Sequence, residues 1–162
     1  MKNIDSIGHV TGKSVYIDDI PTLKGTLHTT IFGSTIAHGK IIKFDATKAM
    51  NLEGVERIIT YKDITGENQI GGIIPNETLF AEQEIHFHGH PIALVVATSE
   101  YIARKAASLI EVEYEDYTPV VDPREAQQKW LLLIPPRTFK MGNTDESWKK
   151  CKYVFEGSVE MG

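Results

Sequence analysis

The segment Gly89 to Glu115, GHPIALVVATSEYIARKAASLIEVEYE, constrains this chain more than any other stretch. Ile92 to Ala97 is an unbroken apolar run rich in β-branched and aliphatic residues, the pattern of a fully buried central strand. Ser99 then offers a hydroxyl to the free N–H groups of a first helical turn, and Glu100 suits the positive end of the helix dipole. Ile102, Ala106, Leu109 and Ile110 recur at helical spacing, so one stripe faces a core. Ile110, Val112 and Tyr114 next alternate with Glu111, Glu113 and Glu115, as on a strand with one wet face. Strand, short helix and strand in succession predict a parallel pair joined by a right-handed crossover.

The rest of the chain is expected to pack around this unit. Val15 to Ile20 alternates imperfectly and predicts a short strand or arm that Pro21 stops, whereas residues 1–12 carry little pattern and are expected to be loosely held. Gly25 to Gly33 and Lys40 to Phe44 read as strands, with Leu27, Thr29 and Ile31 on one face of the first. Asp45 is placed to cap a helix over 46–52, and Gly54 stands where a helix end wants a left-handed residue. Val55 to Thr60 is a further strand, followed by a helical turn at 62–64. Gly66 to Asn76 is the longest loop and a candidate contact with a partner. Short extended pieces are expected at 78–81, 85–87 and 119–121. Asp122 caps a helix over Pro123 to Trp130, Pro135 and Pro136 exclude helix around them, and a helical turn follows at 145–150. Tyr153, Phe155 and Val159 mark a last strand, and the stop at Glu160-Met161-Gly162 predicts a cut in a longer polypeptide whose open edge self-associates. The fold class is mixed α+β. One domain covers 1–162, with its core over about residues 9–125 and a link over 126–162.

The totals narrow the function classes. A net charge of −5 disfavours a nucleic-acid partner, and the single Cys151 excludes an internal disulfide and suits a reducing compartment. The first residues lack an apolar signal core, and no run is long enough to span a bilayer, so a cytoplasmic protein without membrane attachment is expected. His86, His88 and His90 would share a face if extended and could then bind zinc, copper or nickel. No Cys or spaced carboxylate completes a shell, and Gly89 and Pro91 break the extended geometry, so ordinary surface or core histidines are favoured. Asp18 and Asp19 diverge in extended chain and suit capping better than paired acid–base chemistry. The row Glu111, Glu113 and Glu115 reads as a solvated face or a docking surface. Thr11-Gly12-Lys13-Ser14 lacks the earlier glycine and the strand of a phosphate loop. No residue is assigned as catalytic, cofactor-binding or metal-binding.

A resemblance adds what spacing does not. The stretches GKSVYIDDIP (12–21), STIAHGKI (34–41), ETLFA (77–81), GHPIALVVA (89–97) and IEVEYE (110–115) occur in the order found in one family. Gly54, Val55, Asp63, Ile64, Gly66 and Asn68 fall between them as further landmarks. Together they resemble the α/β-hammerhead domain at the start of the molybdopterin-binding part of xanthine dehydrogenases and aldehyde oxidases. That resemblance implies a parent enzyme that hydroxylates purines or aldehydes at a molybdopterin–molybdenum centre with oxygen from water. It also implies iron–sulfur clusters and FAD in partner domains or subunits, and the remainder of the molybdopterin-binding subunit as the first partner. The family's cofactor-contacting glutamine and its glutamate map onto no residue here, so the chain alone is expected to be inactive and free of molybdopterin. The alternative is a self-standing binding module that reuses the fold.

Overall fold

The computed structural model describes residues 4–161. The expectation of a loose start therefore lies partly outside the described residues, as does the end of the chain at residue 162. Two compact units are present, one ending at Pro119 and the other beginning at Val120.

The first unit holds α1 (Ser6–Val10), β1 (His28–Gly33), β2 (Gly39–Asp45), α2 (Thr47–Met50), β3 (Val55–Thr60), β4 (Glu84–Ile85), β5 (Pro91–Ala97), α3 (Glu100–Ala107) and β6 (Glu111–Asp116). Two three-stranded sheets result, ordered β1-β5-β3 and β4-β2-β6. Every pairing is antiparallel. The expected parallel crossover is therefore incorrect: β5 and β6 lie in different sheets, and β6 leaves α3 to pair with β2. The connection through α3 passes the chain from one sheet to the other.

β5 is the central strand of its sheet, and its two faces differ. Ala93, Val95 and Ala97 are buried beneath α3, whereas Leu94 and Val96 face the other way and are half-buried. The run is thus not buried on both sides, as its continuous apolar character predicted. The inward small residues allow α3 to sit close, and its own contact face is Ala103, Ala106 and Ala107. Ser99 caps α3 by accepting the Ile102 N–H at 3.3 Å. A second cluster, Ala81, Ile85 and Ile92, fills the space by β2 and β6, and Phe32 and Phe44 pack against both clusters. Burial of these apolar side chains provides most of the driving force for this arrangement.

Several local predictions hold. Gly54 has φ +88°, and a Cβ there would stand 2.7 Å from Ile102 Cδ1 and 2.8 Å from Thr98 Oγ1. Asp45 Oδ1 accepts the Thr47 N–H at 2.9 Å, and Thr47 holds that carboxyl below the usual aspartate range, but the N-cap is Ala46 and the helix, Thr47–Met50, is shorter than the 46–52 expected. Others fail. Residues 15–20 form a 3₁₀ turn, Ile17–Asp19, rather than a strand, because the Asp19 carboxylate accepts the Tyr16 N–H at 2.9 Å. The residues expected to lack pattern include α1, whose exit at Gly12 has φ +66°. Residues 78–81 and 119–121 form no strand, and β4 is limited to Glu84–Ile85. The long loop is real, and it is organised: Asn68 donates to the Phe80 carbonyl at 2.7 Å and accepts the Phe80 N–H at 2.9 Å.

The second unit contains α4 (Pro123–Gln128) and α5 (Thr144–Lys150). Asp122 caps α4 through the Arg124 N–H at 2.7 Å. The helix stops two residues before its predicted end, since Trp130 takes a left-handed φ of 54° and the Leu131 N–H returns to the Ala126 carbonyl at 2.8 Å. The strand predicted at Tyr153, Phe155 and Val159 does not form. Alternation alone does not make a strand; a ladder partner is required, and none is present among the described residues. The expected self-association through that strand edge loses its basis.

Candidate functional site

Of the three predicted histidines, only His90 is enclosed, at 1 % exposure; His86 and His88 are exposed. The segment turns at Gly89, where φ is +85°, so the three rings do not share one extended face. The His90 ring stacks on Phe87 at 4.6 Å between centroids and tilts against His86 at 5.7 Å. Its Nδ1 accepts the His86 backbone N–H at 3.5 Å. Its Nε2 lies 3.1 Å from the Thr78 hydroxyl, at hydrogen-bond distance.

At 1 % exposure the ring has no access to solvent. Burial, and secondly His86, pushes the His90 pKa below the ordinary histidine value, against weaker opposing effects of Glu77 and Thr78. His90 is therefore a neutral, hydrogen-bonded pin between the start of β5 and the loop at Thr78.

Ser34, which sequence reasoning passed over, completes the junction. It is 3 % exposed, its hydroxyl donates to the Phe87 carbonyl at 2.9 Å, and it accepts the Gly89 and His90 N–H groups at 3.1 and 3.2 Å. The only sequence signal was a small hydroxyl residue after a β-strand pattern. Close backbone approach explains Gly33 beside it, because a Cβ there would meet the Gly89 carbonyl oxygen at 2.8 Å.

The remaining candidates also resolve into structural roles. Asp19 caps its turn, and Asp18 is exposed beside it. Ser14 of the Gly12-Lys13-Ser14 triplet hydrogen-bonds His9 Nδ1 at 2.8 Å, within a turn rather than a phosphate cradle. The acidic row on β6 meets lysines: Glu113 pairs with Lys43 at 3.5 Å, and Glu111 pairs with Lys48. Asp63 accepts the Thr60 N–H and pairs with Arg57 at 2.8 Å, contacts that hold its carboxyl below the usual range. Among the described residues no three His, Cys, Asp or Glu side chains converge as a metal shell. No described helix is long and apolar enough to cross a membrane.

Two surfaces stand out. The outer face of the β1-β5-β3 sheet carries Ile31, 60 % exposed, beside half-buried Leu94, Val96 and Ile59, with Thr29 and Arg57 opposite Val96. Ile31 and Ile59 lie on either side of Leu94 in the ladder, so these apolar side chains are contiguous. The second is a cleft of about 620 Å³ between β2, the end of β3 and the start of β5.

The comparisons with known proteins fit this geometry. Residues 11–118 match the family model for the aldehyde oxidase and xanthine dehydrogenase a/b hammerhead domain. Xanthine dehydrogenase of Drosophila pseudoobscura pseudoobscura is 36 % identical over 160 residues, which cover 97 % of this chain and 12 % of that protein. Aldehyde oxidase 1 of Bos taurus is 33 % identical over 162 residues, 99 % of this chain and 12 % of that one. Among solved structures, a Cu,Mo-CO dehydrogenase matches with a TM-score of 0.67 and 31 % identity, covering 78 % of this chain and 16 % of its own. The aldehyde oxidoreductase of Desulfovibrio gigas matches at TM-score 0.62 and 30 % identity, covering 71 % of this chain and 14 % of its own. The chain thus spans about one eighth of the length of the curated relatives it matches. With two antiparallel sheets, a short helix between them and a family match over most of the first unit, the chain belongs to the aldehyde oxidase and xanthine dehydrogenase α/β-hammerhead family.

Proposed function

We propose that this chain is a non-catalytic framework and interface domain of a molybdenum-dependent hydroxylase that acts on purines or aldehydes in the cytoplasm. In this reading the hammerhead occupies about residues 9–125 and residues 126–162 link it onward. The remainder of the subunit holds the molybdopterin, and iron–sulfur clusters and FAD in partner domains or subunits take the electrons. No residue of this chain is assigned to catalysis, to a cofactor or to a metal. The observation that carries the reading is the apolar row of Ile31, Leu94 and Ile59, with Val96 next to it, which suits burial against a larger body. The organised loop at Gly66 to Asn76 is a second contact of the same kind.

The test places Ile31→Glu both in this chain and in the full-length parent. The isolated chain should keep its stability within about 0.5 kcal/mol, because the site is exposed there. The full-length enzyme should lose assembly or thermal stability. Equal loss in both, or no loss in either, refutes the interface reading. A reading frame that stops directly after codon 162 would instead support a self-standing module.

A further inference from the structure

The two edges of β2 are unequally satisfied. Toward β6 the ladder runs the whole strand, from Gly39 opposite Asp116 to Asp45 opposite Glu111. On the other side β4 pairs only with Gly39 and Lys40, and the Gln83 carbonyl then accepts the Ile41 N–H at 2.7 Å. Past Ile41 no backbone partner reaches that side among the described residues. An open strand edge offers a row of N–H and C=O groups to any extended chain.

This edge opens into the cleft of about 620 Å³, which Tyr61 and Lys62 line from the turn after β3. The register with β6 shifts between Ile41 and Lys43, an irregularity that leaves a residue unpaired and bends the strand. Ile42 sits at that bend and is more than half exposed, so an incoming side chain has an apolar contact.

The charge of the cleft selects the occupant. Lys40, Lys43 and Lys62 line it against one carboxylate, Glu82, in a chain whose net charge is −5. Glu82 is already engaged, accepting the Asn68 amide at 3.2 Å. Lys43 pairs with Glu113, whereas Lys40 and Lys62 have no carboxylate at ion-pair distance among the described residues. Lys62 is held over the Tyr61 ring, 5.8 Å from its centroid. β2 also accepts an acidic strand on its closed side, where Glu115 lies opposite Lys40 and Glu113 opposite Lys43.

We propose that the open edge of β2 from Ile42 to Asp45 takes an added strand from a partner polypeptide, an extended segment with alternating acidic side chains set among Lys40, Lys43 and Lys62. Backbone pairing supplies the binding, and the lysines choose an acidic segment over a basic one. The proposal stands on this edge alone and holds for either reading of the whole protein.

The probe is a short acetylated peptide alternating glutamate and valine, titrated into the isotope-labelled 162-residue chain. Amide shifts should concentrate at residues 42–45 and 60–62. N-methylation of alternate peptide amides should weaken binding about tenfold or more, as should replacing glutamate by lysine in the peptide. The double variant Lys40→Glu, Lys62→Glu should weaken the acidic peptide similarly, with its own spectrum verifying the fold. Equal binding of the N-methylated peptide would reduce the effect to charge attraction and overturn the added strand. Shifts elsewhere, or none at millimolar peptide, would overturn it as well.

Discussion

Val95 and Val96 are neighbours in β5 with opposite environments, so a carboxylate at each should have very different consequences. Val95 is fully buried between α3 and the sheet, packed with Ala93, Ala103 and Ala106 and their neighbours. An aspartate there must be neutralised or left charged without a partner. Neutralising it at pH 7 costs about 4 kcal/mol, from roughly three pH units at about 1.36 kcal/mol each. Burying the neutral carboxyl without a hydrogen bond adds about 1–3 kcal/mol, and the lost valine burial about 1.5–3 kcal/mol more. The sum rivals the whole stability of an ordinary domain, about 5–15 kcal/mol. Val95→Asp should therefore be unfolded or barely folded, and Val95→Ala should lose about 2 kcal/mol. Val96→Asp faces the half-open side and should lose only about 1–2 kcal/mol. Urea unfolding followed by circular dichroism measures all three. A Val95→Asp protein that melts cooperatively near the wild type, or a Val96→Asp protein equally damaged, would refute the assignment of faces.

Two further outcomes follow from single side chains. The folded state keeps His90 neutral, with a pKa pushed by burial below the ordinary histidine value of about 6.5, so the unfolded chain takes up the proton first as pH falls. The stabilising contribution of His90 is therefore complete above about pH 6.5 and declines below it. Against His90→Gln, the stability difference should shrink by up to about 1.4 kcal/mol per pH unit, and a difference independent of pH between 7 and 5 would contradict this. Tyr114 carries a buried hydroxyl with no hydrogen-bond partner among the described residues, so Tyr114→Phe should be neutral or stabilising by up to about 1 kcal/mol in the same unfolding assay; a clear loss of stability would show that the hydroxyl is bonded.

What the sequence disclosed depends on the range of the forces involved. Periodicity and caps are local, so α3 with Ser99, the alternation of Val112 and Tyr114 against the glutamates, and Gly54 at a left-handed turn were legible. Strand partnership is not local. Nothing within Gly89 to Glu115 records that β6 pairs with β2, seventy residues away, instead of returning to β5. An apolar run likewise does not distinguish two buried faces from one buried face and one partly exposed, which is why Leu94 and Val96 were misplaced. The alternation at Tyr153, Phe155 and Val159 failed for lack of any ladder partner. For the site, histidine spacing suggested a shared face, but the turn at Gly89 separated the rings, and His90 is fixed by Ser34 and Thr78, distant in sequence or silent in pattern. The lysine cleft was not legible because it is assembled from four separate segments.

The central claim, a framework domain whose chemistry resides elsewhere in its parent, is tested most directly by measuring molybdenum content and dye-coupled oxidation of xanthine and an aldehyde. The purified chain is compared with the same chain co-expressed with the remainder of its subunit and its iron–sulfur and flavin partners. The account predicts no retained molybdenum and no turnover for the chain alone, and both in the assembled enzyme. Stoichiometric molybdenum or turnover in the isolated chain would contradict it.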